Sequence, residues 1–122
     1  MVKLYDSEIK VMDILWEHGN MKATEIVQEM KKRDSWNKNT TYTVINKCIK
    51  KGAIQREEPN FLCIPIIEKS DVQKYETNQL IKKIFGGSNI KFLSHFLAQD
   101  NFAEKELAEI EELIKKHKSG DL

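Results

Sequence analysis

Residues 36–54 read WNKNTTYTVINKCIKKGAI. Thr41, Val44, Ile45, Cys48 and Ile49 recur at helical spacing and fall on one side of a helix running from Asn39 or Thr40 to Lys51. Gly52 supplies the left-handed residue that ends it. The other side carries Thr40, Thr43, Asn46, Lys47 and Lys50, with Tyr42 at the border and Lys38 just ahead. That polar side has no evident structural task. Its groups are the ones that contact nucleic acid. Threonine exchanges hydrogen bonds and packs its methyl on thymine, asparagine pairs with adenine N6 and N7, and lysine reaches guanine acceptors or phosphate. Any exposed helix shows such residues, so the weight of the reading depends on where the helix sits in the chain.

Upstream, a first helix is expected over Ser7–His18, capped by Asp6 or Ser7 and ended by Gly19, with Ile9, Met12, Leu15 and Trp16 facing inward. After the Gly19-Asn20 turn, Met21-Lys22 reads as a very short strand. A second helix follows over Ala23–Lys32, with Ala23, Ile26, Val27 and Met30 inward. The polar run 33–39 breaks the pattern, and its one large apolar residue, Trp36, is expected to plug the core. Downstream, Ala53–Arg56 and Phe61–Ile67 read as two short strands joined by a turn at Glu57-Glu58-Pro59-Asn60. Pro65 belongs near a strand end or on an edge, since it donates no ladder hydrogen bond. Three helices with a trailing two-stranded wing make a winged helix-turn-helix, in which the second helix braces the third and the third enters the DNA major groove.

Past Ser70 three amphipathic helices are expected, over Ser70–Phe85, Asn89–Gln99 and Phe102–His117. Gly86-Gly87-Ser88 and Asp100-Asn101 separate them. Asn101 and Glu104 have the spacing of a capping box, and the tail Lys118–Leu122 is expected to fray. The fold class is therefore mainly α with a small β-hairpin: a winged-helix DNA-binding domain over 1–68 and a three-helix dimerisation region over 69–122.

A formal net charge of +1 conceals an uneven distribution. Between residues 31 and 56, Lys31, Lys32, Arg33, Lys38, Lys47, Lys50, Lys51 and Arg56 oppose Asp34 alone, whereas acids outnumber bases over residues 1–30. Such a block is the footprint of a phosphate-binding face or, alternatively, a solvated lysine-rich surface. Early positions of a recognition helix lie deepest in the groove, so Thr40, Thr43 and Lys47 are the base-reading candidates. Lys50, Lys51 and Arg56 are assigned to phosphate, and Tyr42 to sugar or phosphate. The wing tip at Pro59-Asn60 is the weaker contact, because Glu57 and Glu58 beside it repel phosphate.

Other functions find little support. No apolar run approaches the roughly 18 residues of a membrane span, so no membrane insertion is expected. Residues 1–19 lack the apolar core of a signal peptide, which makes the cytoplasm the expected location. Cys48 and Cys63 form no CxxC pair and read as reduced core thiols. His18, His95 and His117 fall on three helices without ligand spacing, so neither metal nor cofactor is expected. Glu106, Glu109, Glu111 and Glu112 read as the solvated face of the last helix. With no nucleophile motif, phosphate loop or HExxH, an enzyme is not expected.

The stretch Trp36–Ile54, together with SEIKVMDILWEHG (Ser7–Gly19) and TEIVQEM (Thr24–Met30), resembles the penicillinase-repressor family. KKIFGGSNIKFLSHF (Lys82–Phe96) is similar to the family's stretch before its dimer helices. The resemblance spans most of the chain. It implies a homodimeric transcriptional repressor on a palindromic operator in double-stranded DNA, controlling antibiotic-resistance or stress genes, with the C-terminal helices as dimer interface. Leu93, Phe96, Leu97, Leu107, Ile110, Leu113 and Ile114 are then the interface candidates, packing within the subunit being the alternative. A domain this small gains core by pairing, and a two-fold dimer matches a two-fold operator. Antibiotic-responsive members are inactivated by cleavage of an Asn-Phe bond, which implies a membrane sensor protease as partner. The matching bond here is His95-Phe96, of which Phe96 alone agrees. The paired CxC motifs of copper-responsive members are absent after Cys63. Asn37–Asn39 and Tyr42 replace the proline and the basic residue the family often has there, so the operator sequence does not carry over. A winged-helix protein-interaction module and a ligand- or metal-gated regulator of the same fold are the rival functions.

Overall fold

The computed structural model describes residues 1–99 and 101–121. Helix α1 (Asp6–His18), strand β1 (Met21–Lys22), helix α2 (Ala23–Asp34) and helix α3 (Lys38–Lys50) come first. Strands β2 (Ile54–Glu57) and β3 (Leu62–Pro65) follow, then helices α4 (Lys69–Ile84), α5 (Asn89–Gln99) and α6 (Glu104–Ser119). The fold is mainly helical with a small sheet, as the sequence predicts. The sheet itself is larger than a hairpin. β3 pairs antiparallel with β2 and, on its other side, with β1, giving the order β1-β3-β2. Pro65 ends β3 opposite Ile54, where its missing N–H costs the ladder nothing.

α2 starts at Ala23 as expected, but the caps of α1 and α6 differ from expectation, because glutamates inside the first turn satisfy the N-cap amides. Tyr5 is the N-cap of α1, and its N–H donates to Glu8 Oε1 at 2.7 Å. Lys22 N–H donates to Glu25 in the same way at the start of α2. α6 starts at Glu104 rather than Phe102, with Glu106 accepting from Ala103 N–H, so the Asn101/Glu104 capping box is not formed. α6 also runs on to Ser119 and stops at left-handed Gly120, where fraying was expected. Asp100 and Leu122 lie outside the described residues, so the Asp100-Asn101 turn is seen only from Asn101.

The chain divides into two compact units, Met1–Thr77 and Asn78–Leu122. The first reaches past the expected boundary at Glu68 because Val72 of α4 is buried with the core of the first three helices. That core holds Met12, Leu15, Ile26, Met30, Val44, Ile45, Cys48 and Ile54, and the half-buried Trp36 packs on it as expected. α1 is rotated from the expected face: Glu8, Val11, Met12, Ile14 and Leu15 are buried, while Ile9 and Trp16 are half-buried. Trp16 Nε1 donates to Ile67 O at 3.0 Å and ties the end of α1 to the chain leaving the sheet. In the second unit, Ser88 Oγ accepts from Lys91 N–H to start α5, and Phe85, Phe92, Phe96 and Phe102 form a file of rings with successive centroids 5.4–6.1 Å apart.

The turn between α3 and β2 depends on Gly52, which has φ +78 and donates to Ile49 O at 3.0 Å. A Cβ there would meet nothing within 4 Å, so substitution costs backbone conformation alone. Gly52→Ala should therefore lower stability by about 1 kcal/mol, and Gly52→Asn by less, since asparagine tolerates the left-handed region. Urea unfolding reads both; an alanine variant as stable as the wild type would contradict this account of the turn.

Candidate nucleic-acid interface

α3 begins at Lys38, one or two residues earlier than the sequence predicts, because Asn37 caps it, its Oδ1 accepting from Thr40 N–H at 2.8 Å. Thr41, Val44, Ile45 and Cys48 are buried and Ile49 is half-buried, which holds the helix to the core. Lys38, Thr40, Thr43, Asn46, Lys47 and Lys50 are all exposed. Thr43 donates its hydroxyl hydrogen to Asn39 O at 2.9 Å, which fixes the side chain's orientation and leaves its oxygen as an acceptor.

Thr40, Thr43 and Lys47 share an open depression of about 440 Å³ with Ser7, Trp36, Asn37, Asn39 and Val44. Ser7 and Asn39 are not among the DNA-contact candidates that the sequence offers. Ser7 belongs to α1, and only the folded crossing of α1 on α3 brings it there. Asn39, one turn ahead of Thr43, is recoverable from helical spacing once the helix start is known.

The electrostatics of the basic block are sharper than its composition. Arg33 pairs with Glu17 at 2.7 Å and Glu29 at 3.4 Å, and its hydrogen bond holds the Glu17 carboxyl below the usual range. Lys32 lies 3.8 Å from Glu29, and Arg56 pairs with Glu58. Lys51 pairs with Glu8. Among the described residues, Lys31, Lys38, Lys47 and Lys50 have no carboxylate partner. Three of these four lie on α3, so most of the unpaired positive charge of this block sits on the exposed side of that helix.

Lys51 was expected to grip phosphate, but its ammonium turns inward. Nζ lies 2.6 Å from Glu8 Oε1 and 3.0 Å from Lys3 O, and 4.2 Å from the Tyr5 ring centroid. Glu8 is 1% exposed, and its carboxylate has no other cation among the described residues. Lys51 is therefore the counter-charge that allows Glu8 to be buried, and it straps the N-terminal segment over the end of α3.

Tyr42 is half-buried, 5.8 Å from Phe61 between ring centroids, at the seam between α3 and the wing. Arg56 lies on the wing, its guanidinium carbon 3.6 Å from the Phe61 ring centroid. Burial pushes Cys48 up to about 12 and Cys63 up to about 11, so both stay protonated thiols at neutral pH. No group of three or more His, Cys, Asp or Glu is placed to hold a metal among the described residues.

In the second unit the seven expected interface residues divide by exposure. Leu93, Phe96, Leu107, Leu113 and Ile114 are exposed, at 38–52%, while Leu97 and Ile110 are half-buried. Neither α5 nor α6 buries a single side chain. His95 and Phe96 sit inside α5 with both side chains exposed. No helix among the described residues is long and apolar enough to cross a membrane.

Residues 4–116 match the family described as penicillinase repressor. The chain is 25% identical to a penicillinase repressor of Bacillus licheniformis over 119 residues, covering 96% of this chain and 93% of the relative. It is 25% identical to the methicillin resistance regulatory protein MecI of Staphylococcus aureus (strain N315) over 116 residues, covering 93% and 94%. Among solved structures it is similar to the DNA-binding domain of the repressor BlaI, with a TM-score of 0.53 and 31% identity over 57% of this chain and 87% of that one. It is also similar to the monomeric form of Bacillus licheniformis BlaI in complex with the blaP half-operator, with a TM-score of 0.50 and 32% identity over 57% and 88%.

Proposed function

The chain belongs to the penicillinase repressor family, a family of transcriptional repressors and not of enzymes, and from that premise we propose that it is a homodimeric repressor that binds a two-fold operator in duplex DNA through the exposed side of α3. One observation carries the reading. Lys38, Lys47 and Lys50 stand without carboxylate partners among the described residues, beside Thr40, Thr43 and Asn46, on a helix held to the core by its other side. Free cations supply affinity for phosphate, and the hydroxyl and amide groups between them supply contacts to base edges. The repressor BlaI binds a half-operator with a domain similar to this one.

Pairing is supported by the second unit. Leu93, Phe96, Leu107, Leu113 and Ile114 are exposed on helices with no fully buried side chain, and they supply the apolar surface that a second copy would cover. A second copy covering them would give a two-fold dimer, and a two-fold operator presents its half-sites about one DNA turn apart, roughly 34 Å. Control by a membrane sensor protease would act at His95-Phe96. That bond lies within α5, so cleavage requires α5 to open first. The place of action is the cytoplasm, and antibiotic-resistance or stress genes are the expected targets.

Sedimentation of the chain with a genomic fragment it retains tests the whole reading. Two protomers per bound duplex are expected, and a free dimer at working concentration. Leu113→Glu should convert that dimer to a monomer and weaken operator binding. One protomer per duplex, with no dimer in its absence, would contradict the reading.

A further inference from the structure

The wing carries an arginine that pairs with a glutamate of its own turn. Arg56 of β2 lies with its guanidinium carbon 3.6 Å from the Phe61 ring centroid, and its Nε donates to Glu58 Oε1 in the turn that follows. Phe61 in turn lies 5.8 Å from Tyr42 of α3, and Lys38 Nζ lies 5.9 Å from the Tyr42 ring centroid. Two adjoining aromatic rings thus join the start of α3 to the wing, with a cation at each end. The two cations are not equivalent. Lys38 has no carboxylate partner among the described residues, whereas Arg56 has Glu58.

We propose that Glu58 is a positioning residue that withholds Arg56 from the DNA backbone, so that the wing adds a phosphate contact only when phosphate displaces Glu58. The ring face of Phe61 fixes the plane of the guanidinium, and Glu58 occupies its Nε donor edge. A phosphate competes for the same donors, because arginine binds oxyanions through its fork of N–H groups. The side chains of Arg56 and Glu58 are 44% and 58% exposed, so the pair is a weak surface bridge that a stronger anion can replace. The wing thereby trades affinity for every duplex against dependence on α3. This inference rests on the DNA-binding reading above.

The test uses the full chain and a fluorescent mixed-sequence duplex, followed by anisotropy across a salt series. Glu58→Gln should tighten binding by about two- to five-fold, the range set by a surface pair. It should also steepen the salt dependence by about 0.9, the increment for one neutralised phosphate. Glu57→Gln removes the same charge one residue away, from a side chain that faces Gln55 and not Arg56. It should leave the slope unchanged. In an Arg56→Gln background, which keeps part of the stem over Phe61, Glu58→Gln should give no gain. Equal effects of the two glutamate changes, or a gain that persists without Arg56, would overturn the inference while leaving α3 as the DNA-binding element. Binding that is insensitive to salt in every variant would overturn the DNA-binding reading and this inference with it.

Discussion

Replacing Lys51 with methionine should lower the unfolding free energy by about 3 kcal/mol, the cost typical of stranding one member of a buried ion pair. The reason lies with Glu8. Its carboxylate is 1% exposed, and Lys51 is its one cation among the described residues, at 2.6 Å. Glu8 also caps α1 by accepting from Tyr5 N–H, so it cannot turn outward without uncapping the helix. Glu8→Gln in the Lys51→Met background should restore most of the loss, because glutamine keeps an oxygen for Tyr5 and carries no charge to strand. Urea unfolding of the single and double variants measures this. If Lys51→Met unfolds at the wild-type midpoint, the strap between α1 and the end of α3 is not a stabilising element. The same result would reopen Lys51 for DNA.

The second large effect concerns the free lysines. The triple change Lys38→Ala, Lys47→Ala and Lys50→Ala should weaken duplex binding on the order of a hundredfold at moderate salt. It should also reduce the salt slope by about 0.9 for each phosphate that a lysine no longer neutralises. None of the three has a carboxylate partner among the described residues, and all three are exposed. Stability should therefore be nearly unchanged, since surface substitutions away from networks have small effects. Anisotropy gives the affinity and thermal melting the stability. A triple variant that melts like the wild type yet binds DNA with the same slope would remove α3 as the source of affinity. Lys51, of the same type and one position beyond Lys50, is expected to act on stability and not on the groove, because it pairs with Glu8.

Much of the fold was legible because local patterns agreed with one another. The inward face of α3, the turn at Gly52, the β2–β3 hairpin and the place of Pro65 all follow from spacing and turn chemistry. What failed to show was non-local. Met21-Lys22 reads as a short strand, but nothing near it in the chain says that it pairs with Leu62 and Cys63. Glu8 looks like a first-turn surface acid. Its burial depends on Lys51, 43 residues away. The same limit affected the site. A charge count over residues 31–56 sees eight cations, but Glu17, Glu29, Glu8 and Glu58, all outside that window, pair with half of them. The helix itself was readable; which of its lysines are free was not, because ion pairing is a property of the packed chain. Ser7 joined the depression at Thr40, Thr43 and Lys47 for the same reason.

Two copies of α3 are proposed to read a two-fold site in duplex DNA. Footprinting of genomic fragments retained by the chain at physiological salt tests it most directly. Protection of two half-sites about 10 base pairs apart, centre to centre, or a multiple of that spacing, related by a two-fold axis, is expected. Retention of no specific fragment, or a single protected half-site without symmetry, would contradict it.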